Sequence, residues 1–114
     1  MASILLVEDE VLIRMMIAEM LTELQHSVVA QAGSLNEALE LAANADFELA
    51  ILDVNLRGDS SEPVAQLLDA RKKSFVLATG YGARAMLGLF RDRPLLTKPF
   101  QIEALQSCLD GFKR

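Results

Sequence analysis

The chain has 114 residues, 52% of them hydrophobic and 24% charged, with a net charge of -5. That suits one domain with a real core, within the usual ~100–150 residues, and the acidic balance excludes the basic footprint of a nucleic-acid binder. A single cysteine excludes an internal disulfide, no apolar run approaches the ~18 residues of a membrane span, and no basic leader precedes the first apolar run, so a reducing cytoplasm is expected.

The first element is a strand ending Ile4-Leu5-Leu6-Val7, followed by three acids, Glu8, Asp9 and Glu10. Val11 to Leu24 then reads as a helix, and acids ahead of it suit the partial positive charge of a helix N-terminus. Met15, Met16 and Met20 are expected as core or adaptable packing on this helix, not as a cofactor box. His26 falls in a surface turn, and Val28-Val29-Ala30 is a second strand. Ser34-Leu35-Asn36-Glu37 has the spacing of a capping box, and Leu35, Ala38, Leu39 and Ala42 repeat at helical intervals after it.

Leu49 to Leu52 is a third strand, closed by Asp53, and Gly58 lies in a loop. Glu62 to Arg71 forms a helix with Pro63 in its first turn and Val64, Leu67 and Leu68 on its buried side. Phe75 to Ala78 is a fourth strand. Gly80, Gly82 and Gly88 surround the next helical stretch, Ala83 to Phe90, and each interior glycine costs about 1 kcal/mol against alanine; that helix is expected to be short. Leu95-Leu96 is a brief fifth strand. Ile102, Leu105, Leu109 and Phe112 mark the buried face of a last helix, where Cys108 is a buried or half-buried small hydrophobe. No repeat, linker or low-complexity tract divides residues 1–114, so one domain is expected. Strands alternating with helices argue a parallel sheet covered on both faces.

Short apolar runs in such a sheet are buried strands, and the residues beyond their ends meet at one edge, where open α/β sheets bind ligands. Two strands side by side would bring Glu8, Asp9 and Asp53 into one crevice. Clustered carboxylates raise one another's pKa unless a cation neutralises them. The crevice therefore points to a divalent cation with a nucleophile-capable aspartate in it.

With Glu8-Asp9 after the first strand, Asp53 after the third, Thr79 after the fourth and Lys98-Pro99 after the fifth, the whole chain resembles the receiver domain of two-component response regulators. Each signal alone is weak, since an acidic helix start, a solvated strand end or a plain turn explains it; their joint order carries the resemblance. It implies a flavodoxin-like α/β fold, a five-stranded parallel sheet in the order 2-1-3-4-5, with phosphorylation on Asp53 and a required Mg²⁺. By the same resemblance Asp9 and Asp53 bind the metal directly, Glu8 helps through water, and the Asn55 carbonyl adds an oxygen. Lys98 and Thr79 contact the phosphoryl group, Gly80 leaves its backbone N–H free to approach it, and the Lys98-Pro99 peptide is cis. Aspartate can serve as a covalent nucleophile, and phosphoryl transfer asks chiefly for positioning and charge stabilisation.

The stretch Ser74 to Tyr81 is similar to the FAT GUY subfamily signature, Pro-Phe-x-Phe-Ala-Thr-Gly-Tyr or Gly. Phe75, Ala78, Thr79, Gly80 and Tyr81 match, while Ser74 and Leu77 depart from it. That likeness implies a free-standing receiver paired with a histidine kinase of the HWE or related type, and possible exchange with a histidine phosphotransferase. The chain ends just after the last helix, so a receiver without an output domain is expected. Ordinary receivers carry Tyr or Phe three residues before the lysine; here Leu95 stands there, and Tyr81 is the candidate to replace that switch ring. Two other readings use the same residues. A haloacid-dehalogenase-like phosphatase needs a second aspartate where this chain has Asn55, and a pseudo-receiver would not keep Asp9, Asp53, Thr79 and Lys98 together.

Overall fold

The computed structural model describes residues 2–80 and 95–111. In chain order the elements are β1 (Ser3–Val7), α1 (Val11–Glu23), β2 (Ser27–Ala32), α2 (Leu35–Asn44), β3 (Leu49–Asp53), β4 (Asn55–Leu56), β5 (Asp59–Ser60), α3 (Glu62–Ala70), β6 (Ser74–Thr79), β7 (Leu95–Thr97) and α4 (Ile102–Asp110). Five strands form one parallel sheet in the order β2-β1-β3-β6-β7. With the β4-β5 pair set aside, this is the expected 2-1-3-4-5 order of a flavodoxin-like α/β fold.

The alternation of side chains along each strand divides the core into two layers. Leu5, Val7, Ala50, Leu52, Phe75 and Leu77 join Ala38, Ala42, Val64 and Leu68 from α2 and α3. Ile4, Leu6, Leu49, Ile51 and Val76 join Ile17, Leu21, Leu105 and Leu109 from α1 and α4. Burial on both faces is why β1, β3 and β6 read as unbroken apolar runs. The edge strand β2 is instead exposed at alternate positions.

Local signals account for the starts of α2 and α3. Ser34 Oγ accepts the Glu37 N–H at 3.2 Å, as the capping box requires, while the Glu37 carboxylate reaches one residue further back and accepts the Gly33 N–H at 2.9 Å. Pro63 stands in the first turn of α3. His26 lies in the turn between α1 and β2, where its Nδ1 accepts the Ala2 N–H, and Cys108 is half-buried.

One expectation is corrected. Met15 and Met16 are each 53% exposed, and Val11 and Leu12 beside them are 54% and 76% exposed. Helix α1 is apolar nearly all round, but a helix of 3.6 residues per turn can turn only one stripe to a sheet. Ile13, Ile17, Met20 and Leu21 take that stripe. Gly58 lies in a loop, as expected, and that loop is tight. It is a two-residue hairpin between β4 and β5, with φ +54° at Arg57 and +91° at Gly58, the left-handed pair of a type I′ turn. Tyr81, Gly82, the expected helix from Ala83 to Phe90, and Phe112 lie outside the described residues. No helix among the described residues is long and apolar enough to cross a membrane.

Candidate functional site

Strand register builds the site. Val7 pairs with Leu52 across β1 and β3, so the next residues, Glu8 and Asp53, emerge side by side where the strand order reverses, the position at which open sheets bind ligands. Asp53 pairs with Ala78, and Thr79 with Thr97, which sets Thr79 beyond Asp53 and sends Lys98 out next to both. Among the described residues the buried polar or charged ones are Glu8, Asp53, Ser61 and Thr79, and three of these four stand at this edge.

Lys98 ties the acids together. Its Nζ donates to Glu8 Oε1 at 2.9 Å and to Asp53 Oδ2 at 3.0 Å. The Lys98 N–H donates to the Thr79 carbonyl at 2.7 Å, and the Lys98-Pro99 peptide is cis. Glu8 Oε2 accepts the Glu10 N–H, and Asp53 Oδ1 accepts the Asn55 N–H at 3.2 Å. Asp9 Oδ2 accepts the Arg57 N–H from the β4-β5 turn at 3.1 Å. The three acids are thus not merely the start of α1. Glu8 has no exposed surface, and α1 carries no acid in its first turn.

One carboxylate oxygen from each of Glu8, Asp9 and Asp53 lies within 4.8 Å of the others. These are hard oxygen donors. Mg²⁺ holds oxygens at about 2.1 Å, so neighbouring ligands on its octahedron stand roughly 3 Å apart and opposite ones roughly 4 Å, and the ion keeps several waters. The donor chemistry of the trio suits such an ion, with its waters bridging the wider gaps.

The electrostatics follow from burial and neighbours. Burial and then the adjacent Glu8 charge push the Asp53 carboxyl up to about 7, against the opposing pull of Lys98. Burial also raises Asp9, but hydrogen bonds with Glu8, the Arg57 backbone and Asp53 outweigh it and leave Asp9 below the usual carboxylate value. Burial alone would lower Lys98; its contacts with Glu8 and Asp53 dominate and hold it above the usual lysine value. The site therefore holds a carboxyl whose charge is partly masked beside a firmly charged ammonium.

Thr79 is buried at the strand end, yet its hydroxyl donates to the Gly80 carbonyl at 3.1 Å and not to Asp53. Among the described residues nothing lies within 4 Å of the place a Cβ on Gly80 would occupy. The Asn55 side chain is spent on the hairpin, accepting the Gly58 N–H at 2.8 Å. Tyr81 falls outside the described residues.

A family model described as the response regulator receiver domain matches residues 4–110. The chain belongs to this family. As a receiver domain it is 37% identical over 106 residues to the transcriptional regulatory protein PdtaR of Mycobacterium tuberculosis (strain CDC 1551 / Oshkosh), an alignment covering 90% of this chain and 52% of that protein. The receiver domain thus spans about half the length of that relative. Its fold superposes on the solution structure of SdrG from Sphingomonas melonis Fr1 with a TM-score of 0.87 at 41% identity, covering 96% of this chain and 94% of that one. The receiver domain of the Erythrobacter litoralis PhyR response regulator gives a TM-score of 0.80 at 28% identity, over 96% and 88% of the two chains.

Three residues that touch the site escaped the sequence reading: Arg14, Gly33 and Arg57. A faint signal existed for the first two. Arg14 is the one basic residue in the apolar run of α1, and Gly33 directly precedes the capping box. Arg57 contributes through its backbone, which no side-chain motif reveals.

Proposed function

We propose that this receiver domain is a single-domain response regulator that takes a phosphoryl group from a histidine kinase onto Asp53, with Mg²⁺ as its cofactor. The observation that carries the reading is the crevice of Glu8, Asp9 and Asp53 closed by the Lys98 ammonium. An Asp53 carboxylate oxygen forms the new bond to phosphorus, the bond from phosphorus to the donor imidazole breaks, and that nitrogen leaves with the electron pair.

The partners already on each acid sort their roles. Both Glu8 oxygens are engaged, by Lys98 and by the Glu10 N–H, so Glu8 suits a water-mediated contact. Asp9 and Asp53 are the direct metal ligands, with the Asn55 carbonyl beside them. A bound divalent cation supplies positive charge that favours the ionised carboxylates. Lys98, held at 3.0 Å from Asp53, is placed to follow a charge that moves from the carboxylate to a phosphoryl oxygen, as a compact cation does. Thr79 trades its bond to the Gly80 carbonyl for a phosphoryl oxygen, and Gly80 adds its N–H.

A donor histidine must approach this sheet edge. Val11, Leu12, Met15 and Met16 on α1 expose apolar surface next to it, which supports a docking role for that helix. The match of Phe75, Ala78, Thr79, Gly80 and Tyr81 to the FAT GUY signature supports an HWE-type or related kinase as donor and a histidine phosphotransferase as a second exchange partner; the likeness to SdrG over 94% of that chain supports a free-standing receiver, and the single cysteine a cytoplasmic setting.

Incubation with Mg²⁺ and acetyl phosphate, followed by intact mass and peptide mapping, tests the reading. Wild type should take up one phosphoryl group on Asp53, and Asp53→Asn should take up none. Equal labelling of the two proteins would refute it.

A further inference from the structure

Arg14 reaches back from α1 to the loop that carries the acids. Its Nη1 donates to the Glu8 backbone carbonyl at 2.8 Å, while the Glu8 N–H donates to the Ala32 carbonyl at 3.0 Å. Glu8 is therefore held on both sides of its backbone, and Asp9 is the next residue along. The guanidinium occupies a berth left by a missing side chain. A Cβ on Gly33 would stand 2.6 Å from Arg14 Nη1, and its next nearest neighbours, Arg14 Cζ and Glu37 Oε1, are at ordinary contact distances of 3.6 and 3.8 Å. Gly33 is fixed in that position by the Glu37 carboxylate on its N–H. Asp9, Arg14, Gly33, Glu37 and Arg57 border one groove of about 420 Å³.

We propose that Arg14, seated in the berth provided by Gly33, is a positioning residue for the acid pair: it sets where Asp9 presents its carboxylate to the divalent cation. Neither residue touches the metal or the phosphoryl group. The capping box at the start of α2 is thereby linked to the site through Gly33, Arg14 and the Glu8 carbonyl. This rests on the reading of Asp9 and Asp53 as the metal-holding carboxylates. Partners one step removed from the metal typically alter affinity by ~10–100-fold when lost.

Gly33→Ala provides a clean test. The φ of Gly33 lies outside the left-handed region, so alanine brings no backbone strain there. The atom it would strike is the far end of a flexible side chain, which can swing away with little consequence for the core. The variant displaces the guanidinium without deleting it, whereas Arg14→Ala deletes it.

Mg²⁺ binding is measured by NMR amide titration on wild type, Gly33→Ala, Arg14→Ala, Arg14→Lys and the Gly33→Ala/Arg14→Ala double variant, each with a thermal melt in EDTA. Both single alanine variants should lose roughly tenfold or more in Mg²⁺ affinity with near-native melts. The double variant should be no worse than Arg14→Ala, and Arg14→Lys should recover part of the loss. Unchanged affinity in both alanine variants while wild type binds Mg²⁺ would overturn the proposal alone. So would fully additive losses in the double variant, or losses that track the melts. Absence of Mg²⁺ binding in wild type would overturn the proposal together with the reading of the site. If Arg14→Ala fails to fold, Gly33→Ala decides the matter by itself.

Discussion

Lys98 Nζ sits 3.0 Å from Asp53 Oδ2, with 13% of the lysine side chain and 4% of the aspartate side chain exposed. A shielded pair of this kind contributes less as a net attraction than its loss costs, because removing one partner leaves an uncompensated charge behind. Here the stranded charges would be two, since the same ammonium also holds Glu8.

Lys98→Ala should therefore lower stability in EDTA at pH 8 by about 3 kcal/mol, measured by urea unfolding, and Mg²⁺ should restore more stability to it than to wild type. Because like charges repel, its Mg²⁺ affinity should hold or rise, while phosphate uptake from acetyl phosphate falls. A sharp drop in Mg²⁺ affinity with normal phosphate uptake would contradict the assigned role.

The raised Asp53 carboxyl predicts a pH dependence in the absence of metal. Its folded-state value of about 7 lies above the ordinary 3.8, so the folded protein binds that proton more tightly than the unfolded chain. The resulting stabilisation is fully present below about pH 4 and is lost as pH rises through 7. Asp9 is shifted the other way; its contribution is present above its ordinary value and is lost only on further acidification. In EDTA, Asp53→Asn should melt increasingly above wild type from pH 4 to 7, with a constant difference beyond pH 8. A gap that shrinks over that window would contradict the shift.

Gly58→Ala tests the hairpin that supplies the Arg57 N–H to Asp9. Among the described residues nothing lies within 4 Å of the added Cβ, but φ is +91°, so the effect is backbone strain of about 1 kcal/mol. Asparagine, which tolerates left-handed backbone better, should lose less. Urea midpoints for the two variants should rank in that order, and Mg²⁺ binding should weaken in Gly58→Ala.

At the opposite end of the sheet, Arg71 has a structural role. Its Nη1 donates to the Ala42 and Ala45 carbonyls at the end of α2, and its guanidinium lies 5.6 Å from the Phe47 ring centre. Arg71→Ala should remove a helix C-terminal cation, hydrogen bonds and a cation–π contact together, about 2 kcal/mol. Phosphate uptake per folded molecule should stay unchanged, because Arg71 is remote from the acids along the strands.

The amino-acid sequence by itself determined the strand runs and their alternation with helices, while the sheet order and the meeting of Glu8, Asp53, Thr79 and Lys98 at one edge came from the receiver resemblance that these residues carry. The runs are legible because a buried parallel strand must be apolar throughout, and only residues beyond its end can be polar. Tertiary structure decided what periodicity leaves open. An all-round apolar α1 does not announce which stripe faces the sheet, so Met15 and Met16 looked like core and emerged exposed. Arg57-Gly58 lacks the usual Asn-Gly signal of a type I′ turn, and the hairpin it closes is held by the Asn55 side chain and by Asp9, which is 48 residues away. The berth that Gly33 provides for Arg14 depends on two elements brought together only by the sheet. Contacts of that range leave no local pattern, because they are set by which backbones the fold makes neighbours.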